Sequence, residues 1–429
     1  RLKLSRNLLK KDGVIFVSID DHESHNLRRL LDEVFGETSF IADVAVVNNL
    51  KGRNDKRYIA TANERLFMYV KTEEYEECGL KLPEERVVEF NREDEIGKYR
   101  ELGLRKRGGA DTRAQRPKMF YPFYINPEEG TVVLSKDDLH SIEVFPRKSD
   151  NSDGCWRWGA ETAGQRLKSL KGRSVGNAGK WDVFEKDYLE SDGELRRIKP
   201  KSVLSGTSYS TDRATKEFRA LLKEAEFSSP KSVSMLCDLV EYAVPSDSDD
   251  IILDFFSGSA SCAHSMLQVN SESHGNRKFI MVQLPEPTEE GSKNWKNGFF
   301  NICEIGKERI RRAAAKIKEE TGADIDYGFK VYRVDESTME DVYYQPQTLD
   351  QGNMDMFASN IKADRTSEDL LTQVLLDWGL PLTLKTERVG IVGKAVFKVA
   401  GDSLYACFDD GLGESFAKAV AAEAPMRLV

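Results

Sequence analysis

The stretch DFFSGSAS, residues 254–261, follows the apolar run Ile251–Leu253 and precedes a segment with helical spacing. A turn of small residues between a strand and a helix lets backbone amides approach a ligand at the helix N-terminus. Dinucleotide loops use GxGxxG, but the window 258–263 reads GSASCA, with one glycine. A nicotinamide dinucleotide would meet Ala and Cys side chains there, which disfavours an oxidoreductase. S-Adenosylmethionine carries no phosphate and tolerates a looser loop. Its aminocarboxypropyl tail would find amide and hydroxyl donors at Ser257, Gly258, Ser259 and Ser261, with Asp254 at the strand end accepting from its ammonium. Glu286, just past the next apolar run, is placed to take ribose hydroxyls. A strand, a small-residue turn and a helix also serve plain close packing, so the loop alone leaves both readings open.

Other reactive residues say less. HESH at 22–25 has its histidines three apart, against four in the HExxH of metalloproteases, and reads as a solvated helix start. Asp20 and Asp21 follow the apolar run VIFVSI, where an open α/β sheet places ligands; otherwise they cap the next helix. The six cysteines lie far apart with no CxxC pair, so no metal site is expected and the thiols read as reduced, in a cytoplasmic protein. His264, early in the helix after the loop, reads as a packed or capping histidine.

The elements that position these residues come in two α/β blocks. Residues 1–36 read as helix, strand (VIFVSI) and helix ending at Gly36, followed by strands in ADVAVV and ERLFMYVK. VIFVSI suits a buried parallel strand. The pattern returns at 227, with a helix in KSVSMLCDLVEYAV, a strand in DDIILDFF and a helix from SASCAHSMLQVN. RKFIMVQL, a long helix from ICEIGKERIRRAAAKIKEE and a strand in GFKVYRV complete a βαβαβ half of a doubly wound sheet. A polar segment at 335–365 leads to a last small α/β region.

Between the blocks, from about 73 to 225, turn residues, aromatics and basic residues mix, with mobile segments expected near 148–154 and 205–213. The net charge is −9, yet Lys98–Lys118 holds eight basic residues against Glu101 and Asp111, and Arg157–Lys180 holds six against Glu161. Arg105, Arg107, Arg113, Arg116 and Lys118 are the candidates for DNA contact, while Trp156 and Trp158 alternate as anchors of this region. No apolar run reaches the roughly 20 residues of a membrane span, and no signal peptide is visible.

Taken in order, these stretches resemble the Mod subunits of bacterial type III restriction–modification systems, which methylate adenine N6 in DNA. LSRNLLKKDGVIFVSIDDHE resembles the segment after the family's catalytic motif. RPKMFYPFYINPEEG and CWRWG resemble parts of its target-recognition region. FSSPKSVSML and DIILDFFSGSASCAHSMLQVN resemble its cofactor motifs, and RKFIMVQLPE and ICEIGKERIRRA resemble the segments next in its order. DLLTQVLLDWGL and LYACFDD resemble its C-terminal domain.

The resemblance implies a Rossmann-like S-adenosylmethionine-dependent methyltransferase sheet, circularly permuted, with an inserted target-recognition domain. The expected division is 1–72 and 226–335 for the methyltransferase, 73–225 for DNA recognition and 336–429 for a C-terminal α/β domain. Pro230 and Lys231, from the second cofactor motif, join Asp254, Phe255, Ser257, Gly258, Ser259, Ser261 and Glu286 as expected cofactor residues. Double-stranded DNA, a second copy of the chain and a restriction (helicase–nuclease) subunit are the implied partners, in the bacterial cytoplasm; a catalytically inactive recognition module is the alternative. There are departures. No Pro-Pro pair occurs, so the catalytic Asp-Pro-Pro-Tyr is expected upstream of Arg1, outside this chain; Ala260 stands where many relatives have glycine, and Asn63 precedes Glu64 where relatives often have His. The chain ends at Val429, where the family usually continues.

Overall fold

A computed structural model describes residues 1–52, 57–176, 179–191, 193–340 and 361–429. It begins with helix α1 (Leu2–Leu8), strand β1 (Val14–Ile19), helix α2 (Ser24–Phe35) and strands β2 (Phe40–Val46) and β3 (Glu64–Val70). β3 lies between β1 and β2 and runs antiparallel to both, and the short strand Val203–Leu204 joins β2 in parallel. The strand period of two assigns its faces. Phe67 and Tyr69 meet Leu31, Val34 and Phe35 of α2, while Leu66 meets Val46, Leu204 and Met235. Asp32 fixes α2 on the sheet by accepting from the Tyr69 hydroxyl at 2.6 Å, and it is held in place by Arg28 Nε of the same helix at 3.0 Å.

VIFVSI therefore forms a strand as expected, but its hydrogen-bonded neighbour is antiparallel and not parallel. The helical crossover α2 sets β1 and β2 in the same direction. No helix separates β2 from β3, so β3 returns antiparallel and takes the position between them.

The middle region packs two small sheets around one core. The strands Lys98–Gly103, Leu170–Val175 and Lys180–Tyr188 belong to one sheet, and Phe123–Ile125 is the centre of the other. Phe123, Ile125, Leu104, Val183 and Trp156 are fully buried between them, with Trp158 packed at the margin. The Trp156 indole donates to Tyr121 O at 2.8 Å, and its ring meets Phe123 edge-on. Both tryptophans thus anchor this region. The stretch 148–154, expected as mobile, is tied by Lys148–Asp111 at 2.7 Å and by Arg113 and Arg147 on Asp153. In place of the second mobile stretch, Ser210 caps helix α3 (Thr211–Leu221), its hydroxyl accepting from Arg213 N.

The chain then forms helix α4 (Val233–Ala243), strand β4 (Ile251–Asp254), helix α5 (Ser261–Ser273), strand β5 (Lys278–Met281) and helix α6 (Ile302–Thr321). β4 and β5 are parallel, with Ile252 and Phe279 packed on Val240, Met266 and Val269.

The chain forms two compact units, Arg1–Tyr327 and Gly328–Val429. In the second unit, helices α7 (Ser367–Asp377) and α8 (Glu414–Glu423) accompany an antiparallel sheet of β6 (Thr386–Ile391), β7 (Lys394–Val399) and β8 (Leu404–Ala406). GFKVYRV, expected as a closing strand, forms none. Val331 and Val334 face solvent, and Lys330 Nζ donates to Leu382 O and Leu384 O within this unit. Of the polar segment expected at 335–365, residues 341–360 lie outside the described residues.

Gly172 marks a close approach of the two middle sheets, since a Cβ there would lie 2.4 Å from Ile125 Cγ2. Gly172→Ala should destabilise this region by ~1–3 kcal/mol, as overpacking does. The urea midpoint should fall and recover in part when Ile125→Ala is added; an unchanged midpoint would contradict this packing.

Candidate functional site

The loop 254–261 is held almost entirely by its own chain. An Asp254 carboxylate oxygen accepts from Phe256 N at 3.1 Å, Ser257 N donates to Val282 O at 3.3 Å and Gly258 N to Gln283 Oε1 at 2.8 Å. Ala260 N closes the turn on Ser257 O at 2.7 Å. Gly258 has φ +50°, and a Cβ on it would stand 3.1 Å from the Phe227 ring, so both conformation and space call for glycine. Ala260 adopts φ +59° without being glycine, a local strain that its burial under α6 sustains.

Two residues of α6 support the loop from beneath. Gly306 brings the helix backbone against it: a Cβ there would lie 3.4 Å from Gly258 O and 3.5 Å from Ala260 Cβ. One turn later, Arg309 Nη1 donates to Ser259 Oγ at 2.9 Å and Ser261 Oγ at 2.6 Å. Arg309 is 1% exposed, and Ser259 is 2% exposed. Both hydroxyls, expected as donors to a ligand, thus turn inward to a guanidinium. Neither Gly306 nor Arg309 stood out in the sequence, because GKER on a charged amphipathic helix reads as surface.

The electrostatics of the loop are polarised. Burial pushes the Asp254 carboxyl above its usual range, against a single backbone hydrogen bond. Burial pulls the Arg309 guanidinium down to about 10; Glu217 is the carboxylate that acts on it, and the guanidinium has no ion pair among the described residues. A desolvated anion ends the strand, and a desolvated cation sits under the turn. The Cys262 thiol is pushed up to about 12 by burial, which makes it unreactive.

The remaining candidates fall into place unevenly. Phe255 packs against the β1–α2 core, while Phe256 is 69% exposed, with the Arg1 guanidinium 4.5 Å from its ring centre. Phe227 on Gly258 joins the segment carrying Pro230 and Lys231 to the loop. Lys231 itself forms an ion pair with Glu64 of β3, and both line a small cavity with Ser18, Tyr209 and Ser229. Glu286 is exposed, its backbone carbonyl accepting from Ile302 N at 3.0 Å. Asp21 lines a separate cavity of about 570 Å³ with His25, Arg28, Asp43, Arg65 and Phe67, and no residue of the loop borders it. Asp20, Asp21 and His22 cluster at the surface, all exposed.

Of the basic candidates, Arg113 is committed to Asp153 at 3.0 Å and stacks over Phe120. Arg105, Arg107, Arg116 and Lys118 form no ion pair among the described residues, and Arg107 and Lys118 are exposed. Three further arginines of the region are engaged by carboxylates of the larger small sheet: Arg100 by Asp187, Arg157 by Glu185 and Arg173 by Glu101. No helix of the described residues is long and apolar enough to cross a membrane.

A family model for N6/N4 DNA methylases, described as DNA methylase, matches residues 1–315. The EcoPI Mod subunit of a type III restriction-modification enzyme, from Escherichia phage P1, is 32% identical over 402 residues, covering 92% of this chain and 60% of the relative. The type II methyltransferase M.KpnI of Klebsiella pneumoniae is 33% identical over 311 residues, covering 72% and 71% of the two chains. The EcoP15I Mod subunit of Escherichia coli is 28% identical over 418 residues, covering 92% and 60%. The chain therefore spans about 60% of the length of these two Mod relatives.

His264 of α5 gives the loop region a pH signature. Its Nδ1 is buried without a partner among the described residues, and burial, assisted by Arg309 and Lys316, lowers its pKa to about 3. The unfolded chain takes up a proton below about pH 6.5 and the folded chain does not, so stability falls as pH drops from about 6.5 towards 3, by at most ~1.4 kcal/mol per unit. His264→Gln should flatten this slope in urea midpoints measured between pH 7.5 and 5. The same slope in both proteins would contradict the buried neutral imidazole.

Proposed function

The chain belongs to the N6/N4 DNA methylase family, and on that premise we propose that it forms the cofactor-binding and DNA-reading part of a site-specific DNA adenine N6-methyltransferase. The observation that carries this reading is the loop 254–261. It has small residues, a left-handed Gly258 and a desolvated Asp254, but not the glycines a pyrophosphate needs.

The residues present suit S-adenosylmethionine. Asp254 would accept from the ammonium of its tail, and the pairing would relieve a carboxylate now held by one amide. Gly258 lets the Phe227 ring close against the loop backbone, and Ser257, Ser259 and Ser261 hold that backbone in shape. Phe255 fixes the loop to the β1–α2 core, and Pro230 and Lys231 close the flank next to Phe227. Glu286 would take ribose hydroxyls. When bound, the cofactor supplies an electrophilic methyl on a sulfonium.

The adenine N6 is a weak nucleophile, so the reaction depends on holding it in line with that methyl. The Asp-Pro-Pro-Tyr-type motif that would accept from N6 and stack on the flipped base is not among these 429 residues. Among the described residues β1 pairs only with β3, and β4 only with β5. We place the motif on a strand between those two edges, in the permuted order that sets the cofactor loop after the DNA-reading insertion. Arg105, Arg107, Arg116 and Lys118 would meet phosphates or base edges, and Arg113, held by Asp153, would add to the local field. The intact protein would act as a dimer with a restriction subunit, in the bacterial cytoplasm.

Labelled methyl transfer from S-adenosylmethionine to double-stranded DNA by the full-length protein should yield N6-methyladenine on digestion. Asp254→Asn should weaken cofactor binding by roughly 10- to 100-fold, the usual cost of losing a charged hydrogen bond. Sequence-specific DNA binding without transfer would overturn the enzyme reading in favour of an inactive recognition module.

A further inference from the structure

Burying a cation without an ion pair is unfavourable, and it needs a reason. Arg309 lies at 1% exposure, and its Nε has no hydrogen-bond partner among the described residues. Its Nη1 reaches only the two serine hydroxyls and, at 3.4 Å, Ser259 O. These acceptors are neutral and belong to the loop on which the cofactor reading rests; the Phe218 ring lies 5.6 Å from the guanidinium, and the Glu217 carboxylate acts on its charge without forming an ion pair among the described residues. A neutral side chain of similar volume would fill the same space beneath the turn without the desolvation penalty. The charge is aimed at the turn between β4 and α5, where the first amides of a 13-residue helix also present partial positive charge.

We propose that Arg309 is a positioning residue for the carboxylate-bearing end of the ligand. It clamps the loop from below through Ser259 and Ser261, and its charge makes the space above the turn favour an anionic group. Asp254 at the strand end and Arg309 under the turn then match the two charges of an amino-acid tail. Arg309 does not touch the ligand: Ser259 and the loop backbone lie between them. The inference rests on the proposed cofactor site and adds to it the source of tail selectivity.

Two ligands separate this role from simple support. S-Adenosylhomocysteine carries the amino-acid tail, and 5′-methylthioadenosine lacks it. Calorimetric titration of the full-length protein with each gives a tail preference as a ratio of affinities. Arg309→Met should lower affinity for S-adenosylhomocysteine roughly tenfold, the scale expected for one charge acting through the interior. It should leave 5′-methylthioadenosine within about twofold. Arg309→Lys, which keeps the charge, should restore a large part of the preference. Should Arg309→Met fail to fold, the double variant Ser259→Ala/Ser261→Ala keeps the charge and cuts the clamp. It should reduce the preference severalfold.

A ratio unchanged in these variants, or equal losses for both ligands, would overturn the role of Arg309 while leaving the cofactor reading intact. If the unaltered protein bound neither ligand, the cofactor reading itself would fail, and this inference with it.

Discussion

Arg309 is the residue on which the shape of the loop depends. It ties Ser259 and Ser261, two residues apart on a turn that includes the left-handed Gly258 and Ala260, to a long helix from later in the chain. The turn could not be strained and ordered on its own account. It is over-determined by the guanidinium below, by Gly306 at backbone contact and by hydrogen bonds from the Ser257 and Gly258 amides to Val282 and Gln283, just past β5. The helix bears a buried charge in return, and the hydrophobic packing around it makes the arrangement rigid enough to be useful.

The same logic extends outward. Phe227 seats on Gly258, so the segment leading into α4 is registered against the loop. Lys231 then ties that segment to Glu64 at the start of β3. Phe255 reaches the other way, into the core beneath β1 and α2. Three separate stretches of sequence thereby meet at one loop, and each does so through a contact that a single substitution can remove. The middle region is built on a different principle. Several of its arginines, Arg100, Arg157 and Arg173 among them, are engaged by carboxylates of the larger small sheet, whereas Arg105, Arg107, Arg116 and Lys118 form no ion pair among the described residues.

Much of this was legible in the sequence. VIFVSI, ERLFMYVK, DDIILDFF and RKFIMVQL carry short apolar runs and form strands, and the helices Ser24–Phe35, Val233–Ala243 and Ile302–Thr321 carry the 3.6-residue period. What could not be read was long-range pairing. Arg309 is 50 residues from Ser259, and Lys231 is 167 from Glu64. Neither spacing leaves a local trace, and a charged residue on an amphipathic helix looks solvated until the fold buries it. GFKVYRV failed for the opposite reason: its aromatic and β-branched residues favour a strand, but no neighbouring strand pairs with it among the described residues. The placement of β3 between β1 and β2 is likewise a property of the sheet and not of any one segment.

The central claim is that the loop 254–261, with the segment 227–231 seated on it, receives the cofactor. Hydrogen exchange of the full-length protein with and without saturating S-adenosylmethionine tests this most directly, because the loop amides report on it individually. Slower exchange confined to 255–260 and to 227–232 is the expected result. Protection centred instead on the cavity between α2 and β3, with the loop unchanged, would contradict the account.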